Sequence, residues 1–123
     1  MKIRVLGNSI RFRLTVSEVG ALCSTGHVEE RTIFPSGTFT YAVQKTGEAS
    51  GLEAKFEGGN IILLLPAKMG EGWAENSVVG FESEQEVPGG KKLKLLLEKD
   101  FACLEKRETD DRDTYPNPKS NTA

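Results

Sequence analysis

The chain has 123 residues, of which 16 are Lys or Arg and 18 are Asp or Glu, for a net charge of −2. That length lies in the single-domain range and buries roughly two-thirds of the unfolded surface, enough for one core without metal or disulfide staples. The near-balanced charge argues against a general nucleic-acid or membrane-surface binder, and 37% hydrophobic residues is the composition of a folded domain rather than a disordered one.

The first element is a hairpin. Lys2–Leu6 and Ser9–Leu14 flank Gly7-Asn8, and a two-residue turn there sets Ile3 opposite Phe12 and Val5 opposite Ile10. The same register sets Arg4 opposite Arg11 and Lys2 opposite Arg13. One face is therefore apolar and the other carries four cations. Like charges directly opposite each other destabilise a sheet, so carboxylates from a neighbouring strand or an anion from outside must neutralise them.

Thr15-Val16-Ser17-Glu18 matches the capping box, and Val16, Val19, Leu22 and Cys23 recur at helical spacing until Gly26. The pattern predicts a helix over 16–25. From His27 the period changes to two, which predicts strands over 28–34 and 38–44 around Pro35-Ser36-Gly37, with Phe39, Tyr41 and Val43 on one face. A polar loop follows over 46–51. Residues 52–57 alternate, whereas 61–65 are apolar at every position and read as a strand inside a sheet, covered on both sides. After Pro66, residues 67–75 suggest a second short helix presenting Met69 and Trp73, although Gly70 and Gly72 weigh against it. A last hairpin joins 78–87 to 91–101 through Pro88-Gly89-Gly90. Its second strand places Leu93, Leu95, Leu97 and Phe101 on one face and Lys92, Lys94, Glu98 and Asp100 on the other.

These elements predict one α+β domain over 1–104, built as a mostly antiparallel sheet or small barrel of seven to eight strands with the helix against it. Phe12, Phe39, Leu63, Leu95 and Leu97 are the expected core. Residues 105–123 read as a polar tail with a disordered end. No apolar run reaches membrane-spanning length, Met1-Lys2-Ile3-Arg4 lacks the apolar stretch of a signal peptide, and Cys23 and Cys103 read as free thiols. The expected location is the cytoplasm.

The opening Met1-Lys2-Ile3-Arg4 with Gly7-Asn8-Ser9-Ile10-Arg11 and Arg13-Leu14-Thr15 is distinctive. So are Thr38-Phe39-Thr40-Tyr41, Glu98-Lys99-Asp100-Phe101 with Cys103-Leu104, and Tyr115-Pro116-Asn117-Pro118. Together they resemble a family of small uncharacterised bacterial proteins, across nearly the whole chain. The resemblance implies a bacterial cytoplasmic protein and carries over no functional residue.

Few residues bear recognisable chemistry. Cys23 and His27 stand four apart, as a thiolate–imidazole pair on one helix would require, but Gly26 should end the helix between them. Glu98, Asp100, Cys103, Asp110, Asp111 and Asp113 lack the spacing of a zinc site or a calcium loop, so no metal is assigned. The segments Gly58-Gly59-Asn60 and Gly70-Glu71-Gly72 fit no phosphate-binding loop, and no cofactor is expected. A triphosphate-processing barrel would need alternating glutamates where Lys2 and Arg4 stand.

What remains is the cation face: Lys2, Arg4, Arg11 and Arg13, with Lys92 and Lys94 as additions. Either Glu29, Glu53, Glu57, Glu98 or Asp100 pairs with it as a salt-bridge ladder, or it binds an anion through arginine forks. The favoured function is a non-catalytic binding module for a phosphorylated small molecule, RNA or an acidic protein surface. The alternative is a small enzyme using Glu98 and Asp100 as acid–base groups beside Arg11.

Overall fold

Eight strands and one helix follow one another as β1 (Lys2–Leu6), β2 (Ser9–Leu14), α1 (Val16–Thr25), β3 (His27–Phe34), β4 (Gly37–Thr46), β5 (Glu53–Glu57), β6 (Asn60–Pro66), β7 (Gly80–Val87) and β8 (Lys91–Lys99). The computed structural model describes residues 1–101. The expected tail 105–123, Cys103 and the acidic positions Asp110, Asp111 and Asp113 lie outside them.

The strands form two four-stranded sheets, ordered β1-β2-β8-β7 and β3-β4-β6-β5. Each consists of two antiparallel hairpins joined side by side by a parallel contact, β2 with β8 in the first sheet and β4 with β6 in the second. Four of the six strand pairings are antiparallel, as expected, but both sheets are mixed rather than purely antiparallel, and they do not form the closed barrel that was the other expectation. Parallel neighbours need a long crossover, and here the whole second sheet serves as the crossover between β2 and β8.

The first hairpin has the predicted register. Gly7 takes φ +55° while Asn8 has no positive φ, the signature of a type II′ turn, which needs glycine at its first central position. Asn8 also anchors the parallel contact: its Nδ2 donates to Lys92 O at 2.8 Å, and its carbonyl accepts from the Lys94 N–H at 3.0 Å. Helix α1 forms as its caps dictate. The Glu18 N–H donates to Thr15 Oγ1 at 3.3 Å, the Thr15 N–H donates to Glu18 Oε1 at 2.8 Å, and Gly26 closes the helix in the left-handed conformation.

Inward-facing side chains of both sheets and of α1 build the core, including Phe12, Leu14, Val19, Leu22, Val43, Leu63, Leu65, Leu95 and Leu97, all nearly inaccessible. Phe39, expected among them, is only half-buried, because it lies beyond the end of β6, where the inner face opens. The strand 60–66 is interior to its sheet, but only its Leu63 and Leu65 face is buried; Ile62 and Leu64 stay half-exposed on the outer side.

Residues 67–75 are consecutive turns, not a second helix. Gly72 sits at φ +71°, and the hydrogen bonds mix three- and four-residue spans, so no helix propagates. Trp73 is nonetheless fully buried, donating from Nε1 to Val78 O at 2.8 Å. Lys99 lies over its ring at 5.7 Å, on the face of β8 where the sequence pattern placed Phe101. Phe101 follows the end of the strand and is exposed.

The two seams between the sheets differ. At one, Ser83 Oγ and Gln85 Oε1 of β7 accept from the Leu52 and Ala54 N–H groups at 3.0 and 2.8 Å, stitching β7 to the β5 edge. At the other, the α-ammonium of Met1 lies 2.6 Å from Glu18 and 3.9 Å from Glu30 of β3, with no backbone hydrogen bond between β1 and β3 among the described residues. No described helix is long and apolar enough to cross a membrane.

Candidate functional site

The Gly7-Asn8 turn fixes which side chains share the outer face of the first sheet. Lys2 and Arg4 of β1 lie beside Arg13 and Arg11 of β2. The parallel contact then aligns Arg11 with Leu96 and Arg13 with Glu98 of β8, and β7 adds Glu82 beside Leu96 and Glu84 beside Lys94. The face is bipartite. Cations fill the β1–β2 half, and Glu82, Glu84 and Glu86 fill the β7 edge.

Internal carboxylates reach the cation half from β8 and the residue after it. Glu98 Oε1 lies 3.6 Å from Nε of both Arg11 and Arg13, and Asp100 Oδ2 lies 3.5 Å from Lys2 Nζ. Part of the expected ladder therefore exists, supplied by Glu98 and Asp100. Glu29, Glu53 and Glu57 belong to the other sheet and do not serve it. Among the described residues, four cations face two carboxylates, an excess of two positive charges, and Arg4 forms no ion pair. Lys2, Ile3, Arg4, Arg11 and Arg13 line a shallow concavity of about 310 Å³. Lys92 and Lys94 do not line it; Lys92 pairs with Glu84 at 3.7 Å.

These ion pairs are partly solvated, with side-chain exposures of 32%, 39% and 25% for Arg11, Arg13 and Glu98. Pairs of that kind contribute about 0–1 kcal/mol each. They hold the side chains near one another without saturating them, since each guanidinium carries five N–H donors and shares a single carboxylate oxygen.

The other candidates separate in space. Cys23 Sγ points to Gly70 O at 4.0 Å, while His27 Nε2 is 3.0 Å from Glu29 Oε1, so no thiol–imidazole pair forms. The hydrogen bond from His27, together with Arg31 at 2.9 Å, holds the Glu29 carboxyl below its ordinary range despite some desolvation. Glu98 and Asp100 meet Arg11 and Lys2 respectively on the open face, and neither carboxylate lines the concavity that holds Arg4. Among the described residues, no cluster of three or more His, Cys, Asp or Glu side chains is placed to hold a metal ion.

Two features escaped the sequence reading. The alternation Glu82-Ser83-Glu84-Gln85-Glu86 already separates three outward carboxylates from two inward polar groups, and period two alone could have found it. The contact between Met1 and Glu18 carried no local signal.

The chain belongs to a family of unknown function, DUF7009, whose family model matches residues 1–119. No curated protein and no solved structure matches the chain.

Proposed function

We propose that the protein is a non-catalytic binding module whose hairpin face takes an anionic group, a phosphate or carboxylate, on Lys2, Arg4, Arg11 and Arg13. The observation that carries this reading is the excess of two positive charges over a concavity, with Arg4 outside every described ion pair. Arginine forks bind such groups bidentately, and a dianion matches the excess. The open geometry favours a binding surface over the alternative with Glu98 and Asp100 as acid–base groups, because proton-transfer catalysis works best in a water-excluding pocket. RNA is the weaker candidate among anions. The described outer face carries no aromatic side chain for base stacking, and Glu82, Glu84 and Glu86 repel a polyanion that crosses it.

Thermal denaturation with inorganic phosphate tests the proposal. At low ionic strength phosphate raises the melting temperature by mass action, and added sodium chloride erases the gain. Arg4→Glu abolishes the response without breaking any ion pair among the described residues. A melting temperature indifferent to phosphate at low salt would leave the cation face as architecture.

A further inference from the structure

We propose that the β1 edge accepts an additional strand, an extended segment of another protein in which acidic and apolar residues alternate. This rests on the anion-binding reading of the hairpin face and gives it a partner.

The backbone of β1 supplies the first half of the argument. A two-residue turn makes Leu6 and Ser9 a hydrogen-bonded pair, so Arg4 and Lys2 also direct their N–H and C=O groups to β2. Ile3 and Val5 direct theirs outward. The strand is an edge, and among the described residues nothing pairs with those groups. The opposite seam is different, since Ser83 and Gln85 occupy the β5 amides there. Among the described residues, one seam is stitched along the strand and the other is tied at Met1.

Side chains supply the second half. Register puts Val5 on the face of β1 that Ile3 shares and Phe34 on the face of β3 that Val28 shares, both inward-facing, yet they are 61% and 52% exposed. An added strand would place every second side chain against Ile3, Val5 and Phe34 and the others beside Lys2 and Arg4. Apolar residues suit the first set and carboxylates the second. A second copy pairing through its own β1 would set Lys2 and Arg4 against the same cations, which disfavours self-pairing.

The probe is a labelled seven-residue peptide of alternating glutamate and valine, titrated against the full chain by fluorescence anisotropy at low salt. Two control peptides carry glutamine in place of glutamate, or N-methyl groups on alternate amides. Phosphate-dependent melting is recorded in parallel. The proposal expects the parent peptide to bind and each control to bind at least about tenfold more weakly. If the N-methylated peptide with free glutamates binds as tightly as the parent, charge alone explains the affinity and strand addition is overturned. If phosphate stabilises the protein but the parent peptide does not bind, strand addition again fails while the anion site stands. If neither acts, both readings fall. Sedimentation of the free chain as a dimer, together with failure of the parent peptide to bind it, would indicate an edge filled by a second copy and would also overturn the proposal.

Discussion

Arg13 and Glu98 are register partners across the parallel β2–β8 contact, and Arg13 Nε lies 3.6 Å from Glu98 Oε1. The same oxygen is 3.6 Å from Arg11 Nε, so one carboxylate is divided between two guanidiniums. Neutralisation of the hairpin face is therefore partial by construction.

Glu98→Gln should separate the structural role of this carboxylate from its electrostatic one. The two pairs are partly exposed, so urea denaturation should register a loss of no more than about 2 kcal/mol. Phosphate should bind more tightly, because the positive excess grows by one charge. Weaker phosphate binding in the variant would mean that Glu98 positions the arginines rather than competing for them.

Leu63 has no exposed surface and sits at the centre of the core between the two sheets. Leu63→Ala should cost about 2–5 kcal/mol, the range for emptying a packed leucine site. A loss below about 1 kcal/mol by urea denaturation would be inconsistent with this packing.

The first hairpin and α1 are legible in the sequence because their information is local. Gly7-Asn8 sets the register within fourteen residues, and Thr15, Glu18 and Gly26 mark both helix ends. The partition into two sheets is not local. Nothing in 9–14 states that its second neighbour is 91–99 in the parallel sense, and the Asn8 side-chain bond that helps fix this contact bridges 84 positions. The cations of the candidate site were readable as residues of one face. How far Glu98 neutralises them depends on that long-range contact and was not.

Gly80 faces Glu98 across the β7–β8 pair, and a Cβ there would collide with Leu97 O and the Cα of Glu98. Gly80→Ala should destabilise the fold by about 1–3 kcal/mol through strain in the strand pair. Thermal denaturation checks this, and an unchanged melting temperature would contradict the close approach.

Burial alone would raise the Glu18 carboxyl, but the Met1 ammonium and the Thr15 backbone and hydroxyl outweigh it and hold the group below its ordinary range. On unfolding the carboxyl returns to that range, so the unfolded chain binds the proton first. The stability from Glu18 is thus present above the ordinary glutamate range and is lost as pH falls through the lower folded value. Glu18→Gln should flatten this acid limb in denaturation curves recorded across the mildly acidic range. An unchanged limb would show that other carboxylates govern it.

The central claim is that phosphate occupies one place, and two-dimensional nitrogen–proton NMR titrated with inorganic phosphate at low salt tests it most directly. Saturable shifts confined to the amides of Lys2–Leu6 and Ser9–Leu14 and the Nε–H signals of Arg4, Arg11 and Arg13, absent in Arg4→Glu, are the predicted result. Shifts scattered over lysines of both sheets, or none before phosphate reaches concentrations that perturb any protein surface, would contradict it.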